Sequence, residues 1–169
     1  MIVVRRRLLL PEASCRYATR GFTMIEMLAV LGILAMLVVM ALPFAELTAR
    51  REREAELRHG LSEIRDAIDS YKRMADAGLI EQSPKSGYPP DLQTLANGVR
   101  TTTATTAYFL RSVPQDPFAA SLEASSPDGG WALRSYRSPP DHPEAGEDVF
   151  DVHSRSTEIG LNGIPLARW

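Results

Sequence analysis

Apolar and polar residues are unevenly distributed along the chain, and the longest apolar block lies near the N-terminus. Between Met27 and Ala45 no residue carries a charge or a strongly polar side chain. A helix of these residues would be about 28 Å long, close to the hydrocarbon thickness of a bilayer, about 30 Å. A chain of 169 residues has little other sequence with which to enclose so apolar a helix. The block therefore predicts a membrane span.

Behind this block, hydrophobic residues recur at spacings of three and four, which is typical of an amphipathic helix. The stripe consists of Leu57, Leu61, Ile64, Ile68 and Tyr71. Gly78 is a suitable stop, so the pattern predicts one long helix from about Phe22 to Ala77. Because Pro43 lacks an N–H and crowds the preceding turn, we expect a kink near Val39.

From residue 79 onward the pattern predicts a small α+β head. Asp91 is suited to cap a short helix, Leu92 to Asn97, which Gly98 would end. The threonine-rich stretch 101–106 predicts an exposed connector or a frayed turn. The predicted strands are Trp131 to Tyr136, Val149 to His153 and a short third strand, Ile164 to Arg168. One helix followed by two or three antiparallel strands defines the α+β class.

Charge divides the chain at the start of the span. Residues 1–21 carry five arginines and one glutamate, a net charge of +4, whereas the remaining residues carry a net charge of −6. Positive charge before a span favours keeping that side in the cytoplasm. We therefore expect a single-pass protein with a cytoplasmic N-terminus and an exported head. The acidic head offers no basic surface for nucleic acid.

The targeting segment differs from a conventional secretory signal. The sites near Ala45 and Ala49 fit the small-residue cleavage pattern poorly, and a plain signal anchor would leave Gly21 and Glu26 unexplained. The one cysteine, Cys15, lies before the span. A chain that loses this leader would have no thiol for catalysis, zinc binding or a disulfide.

The junction of leader and span resembles the signal of a known superfamily. Gly21-Phe22-Thr23-Met24-Ile25-Glu26, followed by the apolar block, resembles the class III signal of type IV pilins and type II secretion pseudopilins. This resemblance implies that prepilin peptidase cuts between Gly21 and Phe22 and that Phe22 is then methylated. The implied division of the chain is a leader 1–21, a transmembrane and filament-core helix 22–45, an amphipathic helix half 46–78 and a periplasmic α+β head 79–169.

Glu26 is the unusual residue of this signal, because a carboxylate in a span costs a few kcal/mol unless it reaches the interface or finds a partner. The resemblance implies that Glu26 of one subunit meets the N-terminal amine of a neighbouring subunit during filament assembly. The alternative is that its side chain only reaches the interface. For Pro43, the resemblance implies a helix segment, 32–43, that loosens as subunits leave the membrane; the alternative is a tolerated kink.

Short stretches of the head are similar, in the same order, to the major pseudopilins of type II secretion systems, the general secretion pathway protein G family. These stretches are Tyr88-Pro89, Leu110 to Phe118, Trp131 to Tyr136, Asp148 to Ser154 and Gly160 to Trp169. The absence of a cysteine pair agrees with this, since type IV pilins commonly close a C-terminal disulfide loop. The implied fold is pilin-like.

The function implied by the resemblance is structural and not enzymatic. The chain would polymerise with itself and other pseudopilins in the periplasm and push exoproteins through an outer-membrane secretin. Its other partners would be the prepilin peptidase and an inner-membrane assembly platform with a cytoplasmic ATPase. Two alternatives stay open: a type IV pilin or minor pilin, and a membrane-anchored periplasmic binding module or enzyme.

The same resemblance implies a calcium site in the loop after the second strand. Glu158 and Asn162 are weak candidates for its ligands. Calcium takes six to eight oxygen ligands, and this loop offers one carboxylate beside Arg155. Loop closure by hydrogen bonds is therefore the favoured interpretation, and no cofactor is expected. The histidines, His59, His142 and His153, show no catalytic or metal-binding spacing. Asp116, Asp148 and Asp151 are candidates for an acid–base carboxylate pair. The favoured interpretation is that Asp116 stabilises a turn and that Asp148 and Asp151 flank a strand.

Overall fold

The computed structural model of the chain describes residues 21–81 and 84–169. All of the predicted leader except Gly21 therefore lies outside the described residues. The chain divides into two compact units, Met1–Pro43 and Phe44–Trp169. The predicted four-part division into leader, span, amphipathic helix and head stays a prediction.

Helix α1, Met24–Asp76, runs through both units. It begins and ends within two residues of the predicted bounds. An 18-residue window of α1 has a mean hydropathy of 2.7, and none of that window is buried. The helix is long and apolar enough to cross a membrane, as the sequence predicts.

The second half of α1 forms the core of the head along the predicted stripe. Leu57, Leu61, Ile64, Ile68 and Tyr71 are all buried. Each of the four leucine and isoleucine side chains contributes about 1.5–3 kcal/mol when it leaves water. The prediction that this half packs on a head is confirmed.

The head adds two short helices, two two-stranded sheets and a 3-10 turn. In chain order they are α2 (Leu92–Asn97), β1 (Val99–Arg100), β2 (Thr106–Ala107), α3 (Ser121–Ala124), β3 (Ala132–Arg134), β4 (Asp151–His153) and a 3-10 helix (Leu166–Arg168). Strand β1 pairs with β2 and β3 with β4, both antiparallel. The α+β class and the pilin-like order, a long N-terminal helix followed by small antiparallel sheets, are confirmed.

Helix α2 has the predicted bounds and caps. Asp91 Oδ1 accepts hydrogen bonds from the Thr94 N–H at 2.6 Å and from the Thr94 hydroxyl at 2.8 Å. Gly98 has φ 86° and donates its N–H to the Thr94 carbonyl. A side chain at Gly98 would be strained at this φ and would meet Tyr108, so glycine is required there.

The prediction for the threonine-rich stretch is wrong in part. It forms the turn of the β1–β2 hairpin, and Thr101 is buried. The Thr101 N–H and hydroxyl each donate to the Thr105 carbonyl at 2.9 Å, so the turn is closed by hydrogen bonds. Threonine favours strands, and its hydroxyl forms hydrogen bonds with nearby backbone groups. The prediction of an exposed connector rested on low sequence complexity and took neither property into account.

The third predicted strand, Ile164 to Arg168, is wrong. This segment makes one bridge, between Ile159 and Pro165, and then enters the 3-10 helix. Pro165 cannot donate to a strand ladder, which explains why pairing stops there. The other two predicted strands are shorter than expected. Trp131 and Ser135 donate their N–H groups to the Asp128 and Glu144 carbonyls, and Val149 donates to the Pro89 carbonyl, instead of to the partner strand.

Trp131 lies at the centre of the head and is fully buried. Its indole N–H donates to the Pro114 carbonyl at 2.8 Å. A Cβ at Gly60 would lie 3.1 Å from the Trp131 ring, so the glycine on α1 makes room for the indole. Gly60, which weakens the helix slightly by its backbone entropy, is therefore explained by packing.

Arginines on α1 hold the C-terminal segment against the helix. Arg65 donates to Asp151 Oδ1 at 2.8 Å, the Val152 carbonyl at 3.1 Å and the Trp169 carbonyl at 2.8 Å. The guanidinium of Arg58 lies 4.3 Å from the centre of the Trp169 ring. These contacts fix the end of the chain on the same helix that the core stripe uses.

Candidate processing and assembly site

Thr23 and Glu26 form a reciprocal cap at the start of α1. The Glu26 N–H donates to Thr23 Oγ1 at 3.2 Å, and the Thr23 N–H donates to Glu26 Oε2 at 3.1 Å. The Thr23 hydroxyl lies 3.4 Å from the same carboxylate oxygen. Together these bonds satisfy two backbone donors that have no partner within the helix, which is the arrangement called a capping box.

This cap gives Glu26 a role that the sequence reasoning above missed. The signal was present, because Thr23-Met24-Ile25-Glu26 has the spacing of a capping box before an apolar run. Both hydrogen bonds to the carboxylate use Oε2, and Oε1 makes no hydrogen bond within the described part of the chain. The carboxylate can therefore cap its own helix and still present an oxygen to another molecule.

The predicted cleavage bond lies just before the cap, outside the helix. Gly21 has no heavy atom of another segment within 4 Å of where a Cβ would stand, and Phe22 is 79 % exposed. A protease must bind an extended, accessible backbone, and residues 21–23 have no regular secondary structure. Cleavage after Gly21 and methylation of Phe22 stay predictions.

The apolar half of α1 presents its side chains to the outside on every face. Its exposed side chains include Ile25, Leu28, Leu31, Leu34, Leu37 and Met40. So large an apolar surface cannot face water in a stable protein, because each buried or lipid-covered methylene is worth about 0.8 kcal/mol. This half of the helix requires lipid or other protein around it.

Pro43 lies inside α1, which stays helical on both sides of it. It cannot donate to the Val39 carbonyl, which would otherwise accept the bond from residue 43. Five residues later the Thr48 hydroxyl donates to the Phe44 carbonyl at 2.9 Å. The predicted role of Pro43 in loosening the helix during assembly stays a prediction.

The weak calcium candidates do not fit a calcium ion. The Glu158 carboxylate pairs with the Arg50 guanidinium at 3.3 Å, and Asn162 Oδ1 accepts the Ile164 N–H at 3.0 Å. Both candidate oxygens thus have partners, and a second cation would oppose Arg50. Among residues 21–81 and 84–169, no three His, Cys, Asp or Glu side chains form a group that could hold a metal ion.

The head aspartates hold loops together. Asp116 is buried and accepts bonds from the Ser154 hydroxyl at 2.6 Å and the Phe118 N–H at 2.8 Å. Asp148 accepts from the Ser135 hydroxyl at 2.6 Å and the Tyr136 N–H at 3.0 Å. Burial raises the pKa of Asp148, but hydrogen bonds from Ser135, Ser86 and Tyr136 outweigh it, so the pKa lies below its ordinary value.

His59 is on α1, whereas His142, in a loop, and His153, on β4, line the same surface pocket. Burial lowers the pKa of His153, and nearby arginines lower it further against the opposing effect of Asp151. His153 is therefore mostly neutral near pH 7. Its position on a short strand beside Arg65 and Asp151 is explained by packing.

Comparison with known proteins gives one finding. The family model of the prokaryotic N-terminal methylation motif matches residues 16–42. No curated protein and no solved structure matches the chain. The matched range includes Gly21, Phe22, Glu26 and most of the apolar block, and it supports placing the chain in the superfamily of type IV pilins and pseudopilins.

Proposed function

We propose that this chain is the major pseudopilin of a type II secretion system, made as an inner-membrane precursor and cut after Gly21. Phe22 becomes the methylated N-terminus, and the subunit polymerises with itself and with other pseudopilins into a short periplasmic filament. The observation that carries this proposal is the methylation motif at residues 16–42, whose residues from Met24 onward form the exposed apolar start of α1.

The cap at the helix start supports the assembly step. Cleavage would create a cationic amine at Phe22, four residues before Glu26. Within one subunit the Glu26 carboxylate is turned back to its own Thr23 through Oε2. Its Oε1 is then positioned to accept a bond from the amine of an adjoining subunit, which would compensate two charges in an apolar filament core.

The secretion role is the finer part of the proposal and rests on the order of short sequence stretches in the head. Residues 22–169 contain no cysteine, so the mature subunit would have no C-terminal disulfide loop. The filament would grow from an inner-membrane platform driven by a cytoplasmic ATPase and push exoproteins to the outer-membrane secretin. The inner membrane and periplasm are the compartments this role requires.

Intact mass of the protein purified from native membranes tests the processing step. The proposal predicts a chain that starts at Phe22 and carries one added methyl group. A chain that still contains residues 1–21 would contradict it and would favour a membrane-anchored binding module or enzyme.

A deletion strain tests the secretion step separately. Loss of the gene should leave exoproteins in the periplasm while surface pili are unchanged. Loss of surface pili with normal exoprotein release would instead identify a type IV pilin or minor pilin. Complementation with the wild-type gene controls for effects on neighbouring genes.

A further inference from the structure

A loop between β4 and the 3-10 helix, residues 159–164, presents three branched aliphatic side chains to solvent. Ile159, Leu161 and Ile164 are 60 %, 47 % and 47 % exposed. A single exposed aliphatic residue is common at protein surfaces, but three on one six-residue loop form a patch. Such a patch needs an explanation beyond the fold.

Hydrogen bonds hold this loop in its conformation. Ile159 and Pro165 form an antiparallel bridge, and the Gly160 N–H donates to the Ile164 carbonyl at 2.9 Å. The Gly163 N–H closes the turn by donating to the Gly160 carbonyl at 2.9 Å. These bonds fix the backbone of the loop, on which the three aliphatic side chains are partly exposed.

The loop is fixed to one turn of α1. Arg50 donates to the Ile159 carbonyl at 2.7 Å and pairs with Glu158 at 3.3 Å. The Leu161 N–H donates to Glu54 Oε1 at 2.8 Å, and Glu54 is buried. The loop therefore lies beside the helix between Arg50 and Glu54.

This turn follows closely on the end of the apolar block. Arg50 is five residues after Ala45, so it lies about 8 Å further along the helix. The headgroup layer on each side of a bilayer is about 5–8 Å thick. Phe44 and Leu47, in the same compact unit as the loop, are 71 % and 45 % exposed and continue the apolar surface towards it.

We propose that the 159–164 loop is a membrane-contact surface whose occupant is the phospholipid headgroup layer. While the precursor or processed subunit is inserted, Ile159, Leu161 and Ile164 lie at headgroup depth on the periplasmic face. This inference rests on the membrane insertion in the proposed function. A phospholipid surface is favoured over a second subunit because Arg50, which holds the loop, follows the end of the apolar block by only five residues.

Fluorescent labels at three positions of the full chain test this inference. With Cys15→Ser as background, Leu161→Cys, Arg137→Cys and Leu37→Cys each receive one environment-sensitive label. The proteins are reconstituted in phosphatidylethanolamine–phosphatidylglycerol vesicles that carry spin-labelled lipid quenchers at headgroup or acyl depth. Ile164→Cys provides a second position in the loop.

Arg137 is the matched control on the same head. It is exposed and follows Tyr136, which stacks on Tyr88, whose ring lies 5.2 Å from the Lys72 ammonium on α1. Lys72 is 22 residues beyond Arg50, or about 33 Å along the helix. A label at Arg137 should therefore stay in water.

The expected result is several-fold stronger quenching by headgroup spin labels at Leu161 and Ile164 than at Arg137, with a blue-shifted emission. The label at residue 37 should be quenched by acyl spin labels.

If the label at residue 37 is quenched but the label at residue 161 is quenched no more than the label at residue 137, the inference about the loop is wrong, while the membrane span is supported. If Leu37 is not quenched, membrane insertion itself fails. Protection of Leu161 that disappears on dilution of the protein in lipid would identify a second subunit as the occupant and overturn the inference.

Discussion

Residues 24–43 and 44–76 belong to one helix, yet none of the first group is buried and eight residues of the second are. The second half has its partners in the same chain: Trp131 packs on Gly60, and Arg58 and Arg65 hold the C-terminal segment. Among residues 21–81 and 84–169, the hydrogen bonds of side chains at the start of the first half are those of its own cap, Thr23 with Glu26.

The difference shows that one secondary structure is stabilised from two sources. Most helical stability in proteins comes from packing of an apolar face, and propensity adds little. The second half obtains that packing from the head. On the proposed function, the first half obtains it from lipid and then from adjoining subunits. Its sequence would then be constrained by assembly and not by the fold of the single chain.

The largest effect is expected from Gly21→Val, which should abolish processing. Gly21 precedes the bond that the peptidase is predicted to cut, and a β-branched side chain there would obstruct the enzyme. Intact mass should show the uncut chain in membranes. Gly32→Val, the same change inside the apolar half, should leave cleavage intact. Normal cleavage of the Gly21 variant would count against the predicted site.

In the second half, Trp131→Ala should lower the free energy of unfolding by about 3–5 kcal/mol, because it leaves a cavity beside Gly60 and removes the bond to Pro114. Circular dichroism during denaturant unfolding of the full chain in detergent measures this. Leu122→Ala is the control, since Leu122 is 91 % exposed and should change stability by less than about 0.5 kcal/mol. Equal effects of the two changes would contradict the assignment of the core.

A smaller loss is expected from Glu54→Ala, about 1–3 kcal/mol, because the Leu161 N–H loses its acceptor and the arginines beside Glu54 lose their partner. Glu54→Gln keeps an acceptor and should cost less. Glu52→Ala, on the exposed face of the same turn, should have little effect. The same unfolding assay applies, and a neutral Glu54→Ala would show that this turn does not hold the 159–164 loop.

The smallest effect concerns Asp148 and acid stability. Because hydrogen bonds hold its folded pKa below the unfolded value, its contribution is present above the unfolded pKa and is lost as pH falls through the folded pKa. Unfolding midpoints measured from about pH 6 to about pH 2 should fall more steeply for the wild type than for Asp148→Asn. Parallel curves of unfolding midpoint against pH would show that Asp148 does not contribute to the acid sensitivity.

The sequence predicted the features that depend on local pattern. The apolar block, the stripe from Leu57 to Tyr71 and the cap of α2 by Asp91 each follow from residue spacing or from one side chain next to its backbone partner. The apolar block and the stripe are strong signals because each extends over many residues of a regular helix.

Two local features were missed because their sequence signals are short. The β1–β2 hairpin is two residues long on each strand, and the 3-10 turn at Leu166 replaces a strand because Pro165 lacks a donor. Features that depend on distant contacts were not predicted either. The bond from Leu161 to Glu54 joins residues 107 positions apart, which no local pattern reveals. The Thr23–Glu26 cap has a sequence signal, the spacing of a capping box, but the prediction for Glu26 rested on its charge alone.

Glu26 has two roles in this account, a cap within one subunit and a charge for the next, and one substitution separates them. Glutamine also completes a capping box, so Glu26→Gln keeps the cap and removes the charge. Thr23→Ala does the reverse: it removes the side-chain acceptor of the cap, at a cost of about 1 kcal/mol, and keeps the charge.

The most direct test is filament formation by the processed Glu26→Gln subunit, counted by electron microscopy beside Glu26→Val and Thr23→Ala. The account predicts that both Glu26 variants are inserted and cut normally but form no filaments, whereas Thr23→Ala assembles. Wild-type filaments from Glu26→Gln would show that capping is sufficient and that no adjoining amine needs the charge of Glu26.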